Sequence, residues 1–303
     1  MIGSFRQIQA FVAVVEEGTF TAAAAREGAT QSGMSQHLKL LERRLGVALL
    51  SRDGRRMVPT IAGRRYYEEC VAVLRRLDAA GASITTIEKM GGEVRAGLMP
   101  TFTRAVLAPV LRAFLQRSGG VSVKILEAYS GVLTDQVRSG ELDFAIVPSF
   151  ALPAGLQAKR IATNREMLVA RAGRTGRHLQ PVRLSDLGPL DVVLPGPLNT
   201  RRQTLEGYFA TNAVDIRNRL ELDAMMATLE FIADSDWAAV LPAILMANDC
   251  DGARYEIRPL DDPPLRSDFV LIEPARSAMK PGARLLSELL IQETLRITAL
   301  MPQ

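Results

Sequence analysis

Between Thr19 and Gly46 the chain carries two short helical patterns separated by three residues, and nothing else in the sequence constrains the fold as strongly. The first pattern runs from Thr19 to Glu27. Thr19 is placed as its N-cap, and its run of alanines lets another helix approach closely. Gly28, Ala29 and Thr30 break it. Thr30 is then placed to cap a second helix, Gln31 to about Arg44, whose Met34, Leu38, Leu41 and Leu45 fall on one apolar face before Gly46 ends it. Two short helices joined by a glycine-containing turn make a helix-turn-helix. Upstream, Phe5, Ile8, Phe11, Val12 and Val15 have the spacing of a further helix over residues 5–17.

After Val47–Leu50 comes Ser51–Thr60, with Asp53-Gly54 between two short extended segments, a hairpin signal. Arg52, Arg55 and Arg56 flank it, which gives the hairpin the character of a wing. A long helix is expected from Ala62 to about Met90. Its Tyr66, Cys70, Val73, Leu77, Ala80, Ile84 and Ile87 alternate steps of four and three, a heptad seam suited to a coiled-coil dimer or to packing on its own domain. Gly91-Gly92 reads as a hinge.

Charge separates the two ends of the chain. Residues 1–92 hold 13 Lys/Arg and 9 Asp/Glu, and since the whole chain has 37 and 33, the remainder is neutral. Within residues 18–66, nine basic groups face three acidic ones. A basic module on a neutral body points to a polyanion partner for that module, or to a solvated basic surface. With 48% apolar and 23% charged residues, the composition is that of a globular protein with a core. No apolar run reaches the ~18 residues of a membrane span, and the N-terminus lacks the character of a signal peptide, so a cytoplasmic protein without membrane association is expected. Two isolated cysteines, Cys70 and Cys250, make neither a disulfide framework nor a metal site.

From Glu93 onward strands alternate with helices, as in parallel α/β sheets. Strands are expected over Val94–Met99, Val121–Glu127, Asp143–Val147, Glu166–Ala170, Asp191–Leu194, Arg217–Leu222, Trp237–Leu241 and Phe269–Ile272. A second, smaller sheet is expected around residues 160–270, before a C-terminal helix over Ala283–Leu300. His37 and His178 are the chain's two histidines, and neither completes a Ser-His-Asp or Cys-His arrangement. No phosphate-binding glycine loop follows a strand. No catalytic residue, metal or cofactor is expected, which leaves an enzyme on a binding-protein-like fold, or a solute-binding module without a DNA role, as weaker readings.

Residues 18–26 (GTFTAAAAR) and 30–42 (TQSGMSQHLKLLE) resemble the signature of LysR-type transcription regulators. The similarity continues through residues 45–52 (LGVALLSR), 60–63 (TIAG) and 140–146 (GELDFAI). The resemblance implies an α+β protein with three parts: a winged helix-turn-helix over residues 1–61, a linker and dimerisation helix with a hinge over 62–92, and an effector-binding domain over 93–303. That domain would be a two-lobed α/β body like a periplasmic binding protein, with lobe I at about 93–163 and 269–303 and lobe II at about 164–268.

It also implies that Gln31, Ser32, Ser35 and Gln36 face bases or adjacent phosphates in a promoter duplex, with Lys39 over the backbone and Arg52, Arg55 and Arg56 on phosphates or in the minor groove. Arg55 best matches a contacting position of the family. Thr30 joins this set, although Thr30 and Ser35 also suit simple capping. Ser32 stands where the family commonly has proline, Gln36 where it has arginine, and Glu27 where it has leucine. Other implied partners are RNA polymerase, further copies of the chain in a homodimer or homotetramer, and a small effector.

Ligands of open α/β folds bind beyond the carboxyl ends of strands. That places candidate effector contacts at Thr101, Phe102 and Thr103 after the first strand, Ser130 after the second and Pro148 after the third, with Pro195, Gly196, Pro197 and Leu198 on the opposite lobe. An organic acid suits these polar loops. The alternative is that the threonines are helix caps, Pro195–Pro197 is only a turn, and Phe102 belongs to the core.

Overall fold

The computed structural model describes residues 3–85, 92–197 and 199–301. Its chain divides into two compact units: Met1–Lys89 with Ala151–Gln157 and Pro274–Met279, and Met90–Phe150 with Ala158–Glu273 and Lys280–Gln303.

The first unit opens with three helices, α1 (Phe5–Glu17), α2 (Phe20–Glu27) and α3 (Gln31–Leu45). Each begins where a side chain can serve an otherwise orphan N–H. Gln7 Oε1 accepts from the Ser4 amide at 3.0 Å, Thr19 Oγ1 from Ala22 at 3.2 Å and Thr30 Oγ1 from Gly33 at 3.2 Å. Gly28, at φ 62°, ends α2 in the left-handed conformation that lets the chain turn at once into α3. Ile8, Phe11, Val12, Val14, Ala23, Met34, Leu38 and Leu41 close the core between the helices. Two residues expected on the apolar faces, Phe5 and Leu45, are instead 45% and 38% exposed. They lie at helix ends, beyond the reach of the other two helices.

Strands β1 (Leu50–Asp53) and β2 (Arg56–Pro59) form the expected antiparallel wing, turning at Gly54-Arg55. Its base is anchored at three points. Glu42 of α3 accepts from the amides of Leu49 and Leu50 at 2.7 and 3.1 Å. Met57 N–H donates to Gly18 O at 2.7 Å. Thr60 Oγ1 donates to Ala48 O at 2.9 Å and accepts from Gly63 N–H at 3.0 Å, starting α4 (Ile61–Thr85).

The expected seam on α4 divides. Cys70 is buried and Tyr66 half-buried against the helical core, whereas Val73 and Leu77 are more than half exposed. Burial pushes the Cys70 thiol up to about 11, so it carries no thiolate at neutral pH. Ile87 and Gly91 lie outside the described residues. Glu27 pairs with Arg276 of the same unit at 3.0 Å, which gives a partner to the carboxylate standing where leucine is usual.

The second unit is a nine-stranded sheet with helices. In chain order its elements are β3 (Glu93–Leu98), α5 (Pro100–Phe102), which continues through a π-turn into α6 (Ala108–Arg117), β4 (Ser122–Glu127), α7 (Ser130–Ser139) and β5 (Phe144–Pro148). Then follow β6 (Leu156–Arg171), β7 (Leu190–Leu194), α8 (Thr200–Thr211), β8 (Ile216–Glu221), α9 (Met225–Ala233), β9 (Ala238–Pro242), β10 (Tyr255–Pro259), β11 (Arg266–Pro274) and α10 (Pro281–Leu300).

Strand order is β4-β3-β5-β11-β6-β9-β7-β8, with β10 also on β6. The β3–β4, β3–β5, β7–β8 and β7–β9 pairs are parallel, and β5–β11, β6–β9 and β6–β10 antiparallel. Two parallel halves thus meet at β11 and β6. The second sheet expected around residues 160–270 is the half built of β6, β7, β8, β9 and β10, and it joins the first half edge to edge where β11 meets the 16-residue β6. β10 was not expected, since Glu256 and Arg258 interrupt its apolar pattern, yet all five of its residues are buried.

Gly63 has no room for a side chain, since a Cβ there would lie 1.9 Å from the Leu49 carbonyl oxygen. Gly63→Ala is expected to cost about 1–3 kcal/mol, as overpacking against backbone does. Urea unfolding of the first unit's near-ultraviolet signal reads this directly.

Candidate nucleic-acid interface and interlobe cleft

The start of α3 is open to solvent. Gln31, Ser32, Gln36 and Lys39 are exposed and Ser35 half-buried. Spacings of one, four and five residues from Gln31 bring Ser32, Ser35 and Gln36 to the solvent side of the first turns, opposite Met34 and Leu38 in the core. Thr30 is occupied as N-cap, and its Oγ1 also lies 3.3 Å from Ser32 Oγ. On the wing Arg52, Arg55 and Arg56 are exposed, and no carboxylate of the described residues pairs with them. Arg55 occupies the tip and Arg56 approaches Gly18, at the start of the α1–α2 turn. The anchored wing and the capped helix therefore present unpaired guanidinium and amide groups on a fixed frame. A helix of this diameter fits the major groove of a duplex, and exposed arginines beside it match phosphates.

In the second unit the carboxyl ends of β3, β5, β7 and β9 converge on a cleft between the halves of the sheet. A bidentate ion pair crosses its floor. Arg201 Nη1 and Nη2 donate to Glu166 Oε1 and Oε2, each at 2.9 Å, and Nη2 also donates to Val240 O at 3.0 Å. Ser267 Oγ donates to Glu166 Oε1 at 2.9 Å. The Glu166 side chain is 4% exposed and that of Arg201 17%.

Arg201 faces a cavity on each side. One, of about 40 Å³, has Thr101, Tyr129, Ser130 and Asn199 set against Val193, Leu194, Leu222 and Met225. The other, of about 430 Å³, is bounded by Pro148, Ser149, Glu166, Arg266, Ser267 and Asp268. Tyr129 Oη donates to Asp223 O at 2.9 Å, joining the two halves across the smaller cavity. Burial, and then Asp223 and Glu127, raise the Tyr129 phenol above its ordinary value, so it stays a neutral donor.

The candidate effector residues fall into three groups. Thr101, Ser130, Pro148 and Pro195 line the cleft. Phe102 and Thr103 do not appear among its lining residues. Phe102 is fully buried, edge-on to Phe269 at 4.8 Å, because the helical turn after Pro100 points it into the first half of the sheet. Thr103 donates to Pro100 O, three residues back, at 3.1 Å and also bonds Glu127, so its hydroxyl is spent on acceptors outside the cleft. Gly196 and Pro197 support the loop, with the Gly196 amide donating to Asp223 Oδ1 at 2.9 Å. Leu198 lies outside the described residues.

Reading strand ends missed Tyr129, Asn199 and Arg201 as lining groups, and also Arg266–Asp268, which enter from the start of β11. Tyr129 was legible as the neighbour of Ser130. The rest depend on which strands pair. Trp237 is half-buried, with its ring centroid 5.9 Å from that of Phe231. Among the described residues no three His, Cys, Asp or Glu side chains converge as metal ligands do, and no helix is long and apolar enough to cross a membrane.

Arg201→Met is expected to lower stability by about 3 kcal/mol, since it leaves Glu166 buried with its charge uncompensated. Thermal unfolding reads the loss, and the double variant Glu166→Gln, Arg201→Met should recover part of it.

Residues 5–64 match the model of the bacterial regulatory helix-turn-helix protein, lysR family, and residues 88–295 that of the LysR substrate binding domain. The nitrogen assimilation regulatory protein nac of Escherichia coli is 24% identical over 290 residues, 95% of this chain and 94% of that protein. The HTH-type transcriptional regulator IlvR of Caulobacter vibrioides is 29% identical over 266 residues, covering 86% and 88%. In three dimensions the chain is similar to full-length CbnR in its complex with target DNA, with a TM-score of 0.56, 20% identity and coverage of 96% of this chain and 99% of that one, a likeness of fold.

Proposed function

Because this chain belongs to the LysR family and is a DNA-binding transcription regulator, we propose that α3 reads its promoter site in the major groove while the wing holds the adjacent backbone. Gln31 and Gln36 each offer the paired donor and acceptor that suit adenine. Ser32 and Ser35 reach a base or a phosphate, and Thr30 sets the helix start whose free N–H groups face a phosphate. Lys39, Arg52, Arg55 and Arg56 supply sequence-independent attraction. The observation that carries this reading is the cluster of exposed, unpaired arginines beside an exposed glutamine-bearing helix start.

Oligomerisation rests on Val73 and Leu77, apolar, exposed and four residues apart on one face of α4. They suit a homodimer, which pairs further into a tetramer and meets RNA polymerase at the promoter. The effector is a small organic acid held in the cleft by Thr101, Ser130 and Arg266, and the regulator works in the cytoplasm without catalysis.

A gel shift and footprint on the DNA upstream of its own gene, at two salt concentrations, tests the reading. Saturable protection that survives excess random DNA is expected, and binding lost at moderate salt without a footprint would refute it. Arg55→Ala should weaken binding to every sequence and flatten the salt slope by about one unit. Gln31→Ala should cost about 1–3 kcal/mol on the cognate site alone. Equal loss on cognate and random DNA would remove Gln31 from base reading.

A further inference from the structure

Strand β10 buries two charged side chains on one face, at positions two residues apart. Glu256 is fully served: one oxygen accepts from the Thr175 and Gly176 amides at 2.8 and 2.9 Å, and the other from the Thr175 hydroxyl. Arg258 is 4% exposed and is served only in part. Its Nε donates to Gln180 O at 3.1 Å and its Nη2 to Pro181 O at 3.0 Å, while Nη1 is buried with no acceptor among the described residues. Arg174, on the loop after β6, contributes a second buried Nη1 with no acceptor. Arg174 and Arg258 line one cavity of about 60 Å³, whose other walls are Leu168, Ala170, Leu187 and Leu190 with Thr175 and Glu256.

An unserved buried donor on a charged group is among the costlier defects a fold can hold. Two of them facing the same small space point to one shared acceptor. The local charge agrees, since Arg174, Arg177 and Arg258 stand against Glu256 and Asp191, and Asp191 is already paired with Arg217. Burial pulls the Arg258 guanidinium below its ordinary value, Glu256 works against that shift, and Arg177 adds a smaller push in the same direction as burial.

We propose that this cavity binds one small, singly charged anion between Nη1 of Arg174 and Nη1 of Arg258. Glu256 on the same wall repels a second negative charge. Two donors over four apolar side chains do not match a tetrahedral oxyanion, which needs acceptors served on every side. Chloride fits, and so does the carboxylate of an acetate-sized acid with its methyl group on the leucines. This site is separate from the cleft and does not depend on the effector reading.

The test uses the full-length chain in potassium gluconate, too bulky for the cavity, with chloride or acetate exchanged in at constant ionic strength. Melting temperature should rise and saturate with chloride, which assigns a halide site, or with acetate, which assigns a carboxylate site. Arg174→Gln keeps all the side-chain bonds of Arg258, and it should shift half-saturation at least about tenfold, the effect of losing one charge-assisted bond. A melting temperature indifferent to both anions, or rising equally in wild type and variant, overturns the proposal. Crystals grown in bromide give an independent reading that does not depend on the variant folding. An anomalous peak within hydrogen-bond reach of both Nη1 atoms supports the site, and an ordered water or an adventitious ion only, unaffected by Arg174→Gln, refutes it.

Discussion

The second unit is organised around the carboxylate of Glu166. It sits on the longest strand, β6, where the two halves of the sheet meet, and it is almost wholly removed from water. A charge in that position is tolerated only if it is paired and each oxygen is hydrogen-bonded. Arg201 meets the first demand with a two-pronged contact and Ser267 helps with the second. The geometry has a consequence for the cleft. Arg201 is the second residue of α8, so satisfying Glu166 fixes where α8 begins, and with it the loop of Pro195–Asn199 whose last side chain caps that helix. The same guanidinium divides the cleft into a small, mostly apolar pocket and a larger one with more polar walls. A ligand entering either pocket therefore acts on a group whose position both halves of the sheet depend on.

The first unit uses polar anchors for a different purpose. On the proposed reading α3 must keep its polar groups free for DNA, so it cannot be held by them. Here α3 is held from behind by Met34, Leu38 and Leu41, and at its far end by Glu42, which grips the base of the wing. Helix caps and the tie between Met57 and Gly18 complete the frame. The exposed face is thereby left with Gln31, Gln36, Lys39 and the wing arginines unengaged.

Much of this was legible in the sequence because it is local. Thr19, Thr30, Gly28 and Gly46 mark helix ends through interactions within four residues, and Asp53-Gly54 sets its own turn. What was not legible depends on distant partners. β10 was hidden because Glu256 and Arg258 break its apolar pattern, and the partners that let them be buried lie far off in sequence, on the loop at Thr175–Pro181. Phe102 and Thr103 share a strand-end loop with Thr101, but a helical turn sends successive side chains in different directions, and only Thr101 reaches the cleft. The seam on α4 shows the same limit. Periodicity alone cannot tell a face that packs on its own helices, as Cys70 does, from one left exposed, as Val73 and Leu77 are.

By itself the sequence determined the helix-turn-helix, the wing, the long helix, the alternation of strands and helices and the concentration of basic charge at one end. These follow from capping chemistry, turn geometry, apolar period and residue counts, all of which act over short stretches of chain. Only the tertiary structure decided that the two parallel halves form one hydrogen-bonded order, that Arg201 and Glu166 pair across the cleft floor, and that Arg174 and Arg258 share one cavity. Those contacts join residues 35 to 84 positions apart, and whether a buried charge finds its partner at such a distance is set by how strands pair, which no local pattern encodes.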